Sequence, residues 1–286
     1  MSTTQASRQE IDDVSDTARW VAAYRAWETK RRDALFHDPY AARLAGEKGQ
    51  RIARGMRGFN GSHNGWPIVT RTKILDDLIL SAVQDGCTCV LNLAAGFDTR
   101  PYRLPLPADV RWFEADLPTI LEEKEVELAN EQPRCALHRI AVDLTDPIQR
   151  AALFDRVDQA GRSTLVITEG LVVYLEPSSV HELAVALFAR ANFTHWALDF
   201  SSPAILRDLQ RSMGQALTRA PMKFAPADGL QFFETIGWRA QRVHSLFHEG
   251  ARLRRVPWPL RLLSAFPPPP AHALGKNRWS GVVCLG

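Results

Sequence analysis

The chain has 286 residues, 45% of them hydrophobic and 23% charged, with a formal net charge of +3. That length buries about three quarters of the surface an unfolded chain exposes, so a full core forms without staples. The small net charge makes no electrostatic case for nucleic acid, and no apolar run is long enough to span a bilayer.

Cys87, Cys89, Cys135 and Cys284 lack C-x-x-C spacing, which favours reduced thiols over a zinc knuckle. The polar N-terminus has no apolar segment of the secretory type. The expectation is a cytoplasmic protein with no nucleic-acid or membrane partner; composition leaves the oligomeric state open.

In chain order, residues 1–12 read as a frayed end. Val14, Ala18, Val21, Tyr24 and Trp27 recur at helical spacing and predict an amphipathic helix from Val14 to Arg31. A turn at Asp38-Pro39 precedes a shorter helical piece from Tyr40 to Ala45. Gly55 to Pro67 carries four glycines and reads as a mobile loop, either a lid or surface slack. Ile74, Leu75, Leu78 and Ile79 mark a helix from Thr70 to Gln84, closed by Gly86. Arg71 falls in its first turn, where a cation opposes the helix dipole.

The stretch Cys89 to Leu104, CVLNLAAGFDTRPYRL, is the centre of the chain. The apolar run Val90 to Leu93 enters the small-residue turn Ala94-Ala95-Gly96, where a ligand can approach the main chain closely. A second strand-like run, VRWFEADLP, ends at Glu114 and Asp116, placed to accept hydrogen bonds from ribose hydroxyls beyond the strand ends. Asp116 also suits the N-cap of the helix that follows. G-x-G-x-x-G is absent, which argues against a dinucleotide.

A third strand, His138 to Leu144, carries Asp143 at its end, and a helix starts at Pro147. A fourth, TLVITEG, ends at Glu169-Gly170. Ser179 to Glu182 reads as a capping box for the next helix, and HWALDF as a fifth strand. Strands alternating with helices specify an α/β fold with a doubly wound, mostly parallel sheet. The acids on one edge mark its active face.

After Pro203 a helix from Ala204 to Leu217 reads as an insertion capping the site. A helix ending near Gly237 and a strand after Trp238 follow. Pro257 to Pro270 reads as largely irregular, and NRWSGVVCLG as a last strand. Arg252, Arg254, Arg255 and Arg261 sit among Trp258 and leucines, which reads as a solvated face with snorkelling side chains. His244 and His248 are four apart and could share a helix face, but no third ligand accompanies them, so no metal is expected.

The segments RAWETKRRDALFHDPYAARL, NLAAGFDTRPYRL, WFEADLP, AVDLTD and TEGLVVYLEP, spread between Arg25 and Trp238, resemble the leucine carboxyl methyltransferase family. The resemblance implies a Rossmann-like class I methyltransferase that uses S-adenosylmethionine. The chain is expected to divide into an N-terminal helical cap and loop (residues 1–69) and an S-adenosylmethionine-binding methyltransferase domain (residues 70–286) with a lid insertion at about residues 203–228. The resemblance further implies that Gly96 lines the methionine and ribose, Asp116 holds the ribose hydroxyls, and Asp143 with Leu144 sits at the adenine. Glu169 and Arg71 contact the methionyl end, Arg71 pairing its carboxylate. Tyr174 faces the acceptor, and Arg25 matches a basic residue reaching into the site. The family commonly has glycine where this chain has Ala94.

Methyl transfer to oxygen is an in-line displacement that depends mainly on alignment, so Tyr174 and Arg71 are the candidate catalytic residues and act by positioning. A carboxylate acceptor needs no base at neutral pH; a phenol or alcohol does. The recognisable strand ends carry no His-Asp dyad, which favours a small-molecule carboxylate of polyketide-like or other secondary metabolism. Phenol or alcohol methylation, a nicotinamide-dependent oxidoreductase and a non-catalytic cofactor-binding protein are the alternatives. Trp20, Tyr24, Trp27, Phe59, Trp66, Met213 and Phe224 are candidates for an apolar acceptor pocket, with ordinary core as the plainer role for most of them.

Overall fold

A computed structural model describes residues 14–56, 65–213 and 221–286. Residues 1–12, most of the Gly55–Pro67 loop with Phe59, the side chain of Met213 and the centre of the expected lid lie outside the described residues.

Seven strands form one sheet in the order β3-β2-β1-β4-β5-β7-β6. They are β1 (Cys89–Leu93), β2 (Arg111–Asp116), β3 (Ala136–Ala141), β4 (Thr164–Thr168), β5 (Phe193–Ser201), β6 (Ala240–Ser245) and β7 (Ser280–Leu285). The first five are parallel. β7 inserts antiparallel between β5 and β6. The doubly wound, mostly parallel expectation holds, and the chain's last segment supplies the reversed strand.

β1 and β4 are buried at every position. Both faces of the sheet are covered, which is why these strands read as continuous apolar runs instead of alternating ones. Cys89, Leu91 and Leu93 point to one core. There they meet Leu153, Phe154 and Val157 of α6 (Pro147–Ala160) and Leu183 and Leu187 of α7 (Pro177–Phe188). Val90 points to the other core, under Ile74, Leu75, Leu78 and Ile79 of α3 (Trp66–Gln84).

The N-terminal pair, α1 (Val14–Thr29) and α2 (Ala41–Gly55), packs as a third cluster with Phe97, Tyr102 and Ile120. Tyr24 stacks edge-on against Trp20 and Trp27 in that cluster, and Phe224 is buried in the first core. Those two are core residues, and Trp66 packs on Phe247.

Several local expectations change. α2 runs ten residues past Ala45 because Gly46, at φ 55°, kinks the helix without ending it. α3 starts at Trp66, so the 69/70 boundary falls inside it, and Arg71 lies in its second turn, where the dipole argument lapses. Asp116 is the last residue of β2, and Leu117 is the N-cap of α5 (Pro118–Glu127). β3 stops at Ala141, short of Asp143.

No capping box forms at Ser179: α7 begins two residues earlier, with Glu176 at its N-cap. The insertion opens as α8 (Pro203–Met213). The proline-rich tail is not wholly irregular; it holds α11 (Trp258–Arg261) and a 3-10 turn, Leu262–Ala265. The expected helix ending near Gly237 contracts to α9 (Gln231–Glu234). His244 lies on β6 and His248 on α10 (Leu246–Arg252), so the pair shares no helix face.

Candidate active site

The carboxyl ends of the parallel strands carry the chemistry. After β1 the backbone turns left-handed at Ala94 (φ 53°) and Gly96 (φ 48°), while the Ala94 amide still bonds the Ala115 carbonyl of β2 at 2.8 Å. The Gly96 amide donates to Asp116 Oδ2 at 2.6 Å and the Leu117 amide to Asp116 Oδ1 at 2.7 Å. Burial pushes the Asp116 carboxyl up, and these two backbone donors work against it. Each oxygen keeps lone-pair capacity for a further donor. Glu114, the other acid of that strand, is wholly buried between Lys124 at 2.7 Å and Arg139 at 3.1 Å, so it is structural.

Past β4, Glu169 bonds two arginines, Arg71 through Oε1 at 2.9 Å and Arg100 through Oε2 at 2.7 Å. Arg71 extends from α3 and also pairs with Asp199 of β5 at 2.9 Å. Asp199 in turn accepts the Gly170 amide at 2.6 Å. Gly170 is left-handed at φ 66°, with the Arg71 guanidinium against the place a side chain would take. Burial opposes both charges. The facing arginines override it and hold Glu169 below the usual carboxylate range, and Asp199 and Glu169 raise Arg71. Among the described residues, Arg71 Nη2 has no protein acceptor.

Beneath this pair, Arg100 is 2% exposed and also bonds Asp98 at 2.9 Å and Asp76 of α3 at 2.7 Å. Burial would raise Asp98, but the charges of Arg100, Lys124 and Arg103 hold it at about 2. Arg103 closes a second fork on Asp76 at 2.6 Å and 2.7 Å. The turns after β1 and β4, strand β5 and α3 are thereby joined in one ionic chain.

Tyr174 ends a 3-10 turn, Val172–Tyr174, close enough to Arg71 and Asp199 to feel both charges. Burial raises its phenol, so it is protonated at neutral pH. Arg25 of α1 donates to the Phe97 carbonyl at 2.6 Å and pairs with Asp38 at 2.9 Å. At 6% exposure it braces the turn after β1 from below.

The structure therefore brings Arg71, Glu169 and Tyr174 together and joins Gly96 to Asp116. Asp143 is exposed, its Oδ1 taken by the Thr145 amide at 2.8 Å and hydroxyl at 2.7 Å. It and the half-buried Leu144 share the sheet edge with the others, but no hydrogen bond or ion pair ties them to the group. Sequence reasoning missed Asp199, Asp98, Arg100 and Asp76. Asp98 and Arg100 stand inside the central motif as D-T-R; Asp199 had a signal too, an acid late in an apolar strand. Among the described residues no three His, Cys, Asp or Glu side chains converge as a metal site.

The family model for leucine carboxyl methyltransferase matches residues 18–188. A relative from Frankia alni, named as a candidate S-adenosyl-L-methionine-dependent methyltransferase, is 32% identical, covering 84% of this chain and 87% of its own. Another of that description, from a Parafrankia strain, is 35% identical over 59% of this chain, and the match spans only 57% of the relative. A solved structure from Thermobifida fusca, described as a candidate methyltransferase, aligns over 95% of this chain and 96% of its own. Its TM-score of 0.58 at 16% identity shows a shared fold.

Proposed function

The chain belongs to the leucine carboxyl methyltransferase family, and from that premise we propose that it transfers the methyl group of S-adenosylmethionine to a carboxylate of a small-molecule secondary metabolite in the cytoplasm. Methyl transfer goes with the family; the choice of acceptor rests on the site.

The residues present suit the cofactor. Asp116 offers two half-used carboxylate oxygens to a ribose diol. Arg71 Nη2 suits the methionyl carboxylate, and Glu169 and Asp199 lie beside it for the ammonium. When bound, S-adenosylmethionine supplies a methyl group on a sulfonium whose departing thioether is neutral. The work left to the chain is to hold both partners in line, which can supply on the order of 7 to 11 kcal/mol.

The observation that carries the acceptor assignment is that the acids and the phenol gathered around Arg71 and Arg100 offer no free base. Glu169 and Asp199 are tied to guanidinium groups, Asp98 is held at about 2 by Arg100 and its neighbours against burial, and Tyr174 keeps its proton. A carboxylate arrives ionised and asks for none of them. A protonated Tyr174 can donate a hydrogen bond to one acceptor oxygen while the other attacks.

Incubation of acidic and phenolic metabolites with methyl-labelled S-adenosylmethionine tests this. Label that is released by mild base marks a methyl ester and supports the reading. Base-stable label marks an aryl or alkyl ether and sinks it.

A further inference from the structure

The segment around α11 holds none of the residues gathered at the candidate site, yet it presents a concentrated apolar surface. Trp258, Leu262 and Phe266 are 74%, 72% and 68% exposed, with Leu260 and Leu263 beside them about half exposed. Trp258 and Leu262 are four residues apart on consecutive helical turns and so share a side. Five large exposed apolar side chains within nine residues form a patch of a kind soluble surfaces seldom carry without a partner.

The rim of this patch is cationic. Gly250 to Phe266 contains Arg252, Arg254, Arg255 and Arg261 and not one Asp or Glu. Arg255 fastens the segment to the last turn of α1 through Glu28 at 2.7 Å and to the α1–α2 connection through Asp33 at 3.1 Å. That connection adds the exposed Lys30, Arg31 and Arg32. The acids facing these cations are already engaged: Glu28 and Asp33 with Arg255 and Arg31, and Glu249 with Arg252 and His244. Arg254 is exposed with no acidic partner among the described residues.

The geometry points to a docking surface for an anionic lipid membrane, with Trp258, Leu260, Leu262, Leu263 and Phe266 entering the headgroup boundary and the exposed Arg254, Lys30 and Arg32 meeting the phosphates. Aromatic and aliphatic side chains flanked by arginine are the composition of interfacial segments. A second copy is disfavoured because a two-fold contact would set these arginines against their own equivalents. Nucleic acid shares the charge but has no surface for three leucines. The expectation of no membrane partner rested on the lack of a spanning segment, which does not bear on a surface reached from outside. Gly250 packs against Thr70 and Trp66, so the patch is anchored on the α3 turns that carry Arg71. A bilayer docked there lies beside the helix that serves the site, whatever the acceptor.

Co-sedimentation of the full chain with vesicles tests the proposal. The chain should pellet with equal parts phosphatidylcholine and phosphatidylserine, stay in solution with phosphatidylcholine alone, and be released by salt. The double variant Trp258→Ser, Leu262→Ser should lose on the order of tenfold in bound fraction, and Arg254→Glu should weaken binding with the apolar patch intact. Both variants should keep S-adenosylmethionine binding, which also reports that they fold. Wild-type chain remaining in solution beside the anionic vesicles at low salt overturns the proposal. So does a wild-type dimer that the double variant splits into monomers without any change in vesicle binding.

Discussion

Asp116 uses one lone pair of each oxygen on the backbone, taking the Gly96 and Leu117 amides at 2.6 Å and 2.7 Å. It thus fixes the turn after β1 and keeps acceptor capacity on each oxygen for a further donor. Replacing Asp116 by Ala removes charge-assisted bonds of about 1.5 to 3 kcal/mol each. Cofactor affinity should fall by roughly 10- to 100-fold while the far-UV spectrum is kept; calorimetry that finds the same affinity removes the ribose role. Ala94 is a second instance of one residue under tension. At φ 53° it holds a conformation that costs an L-residue with a Cβ about 1–2 kcal/mol. Ala94→Gly relieves that cost and gives back part of it through the freer unfolded chain. The net expectation is a gain on the order of 1 kcal/mol, read as a melting point about 2–4 °C higher.

Helix α3 acts as the beam to which the strand-end turns are bolted. Asp76 takes both Arg100 and Arg103, and Arg100 passes the connection to Asp98 and Glu169. Asp76→Ala leaves two buried guanidinium groups short of a counter-charge, so chemical denaturation should show a loss of about 3–5 kcal/mol. A smaller loss would mean that the remaining acids re-pair with them. The same chain sets an acid limit. Neighbouring arginine and lysine charges outweigh burial and lower Asp98 from 3.8 to about 2 in the folded state. A lowered folded value means stabilisation that is complete above the unfolded value and is lost as pH falls through the folded one. Stability should therefore hold down to about pH 4 and drop between there and pH 2, and an Asp98→Asn variant should show a shallower drop across that window.

At the scale of the whole molecule, a ligand that bridges several strand ends stabilises everything joined to them. S-adenosylmethionine at about one hundred times its dissociation constant should add about 2.7 kcal/mol, seen as an upward thermal shift that nicotinamide dinucleotides do not produce. Failure to shift would argue that these turns do not form one site. The alternation of apolar runs, the turn NLAAGFDTR and the acids after successive strands were readable in the chain because each is a local pattern whose meaning depends on residues a few positions apart. They suffice for the α/β class, the succession of strands up to β5 in the chain and the places of Asp116 and Glu169 at strand ends; the order of the strands in the sheet is not among them. The resemblance implied Arg71 and Glu169 as neighbours at one end of the cofactor, but the ion pair between them and the one to Asp199 could not be read, since Glu169 lies 98 residues from Arg71 and Asp199 128. Pairing across such separations is a property of the packed sheet, as is the fate of Arg25, which braces a turn from beneath. The antiparallel insertion of β7, the ionic chain from Asp76 to Asp199 and the apolar patch left uncovered at α11 were decided only by the tertiary structure. Burial and long-range charge pairing exist only once the layers have closed.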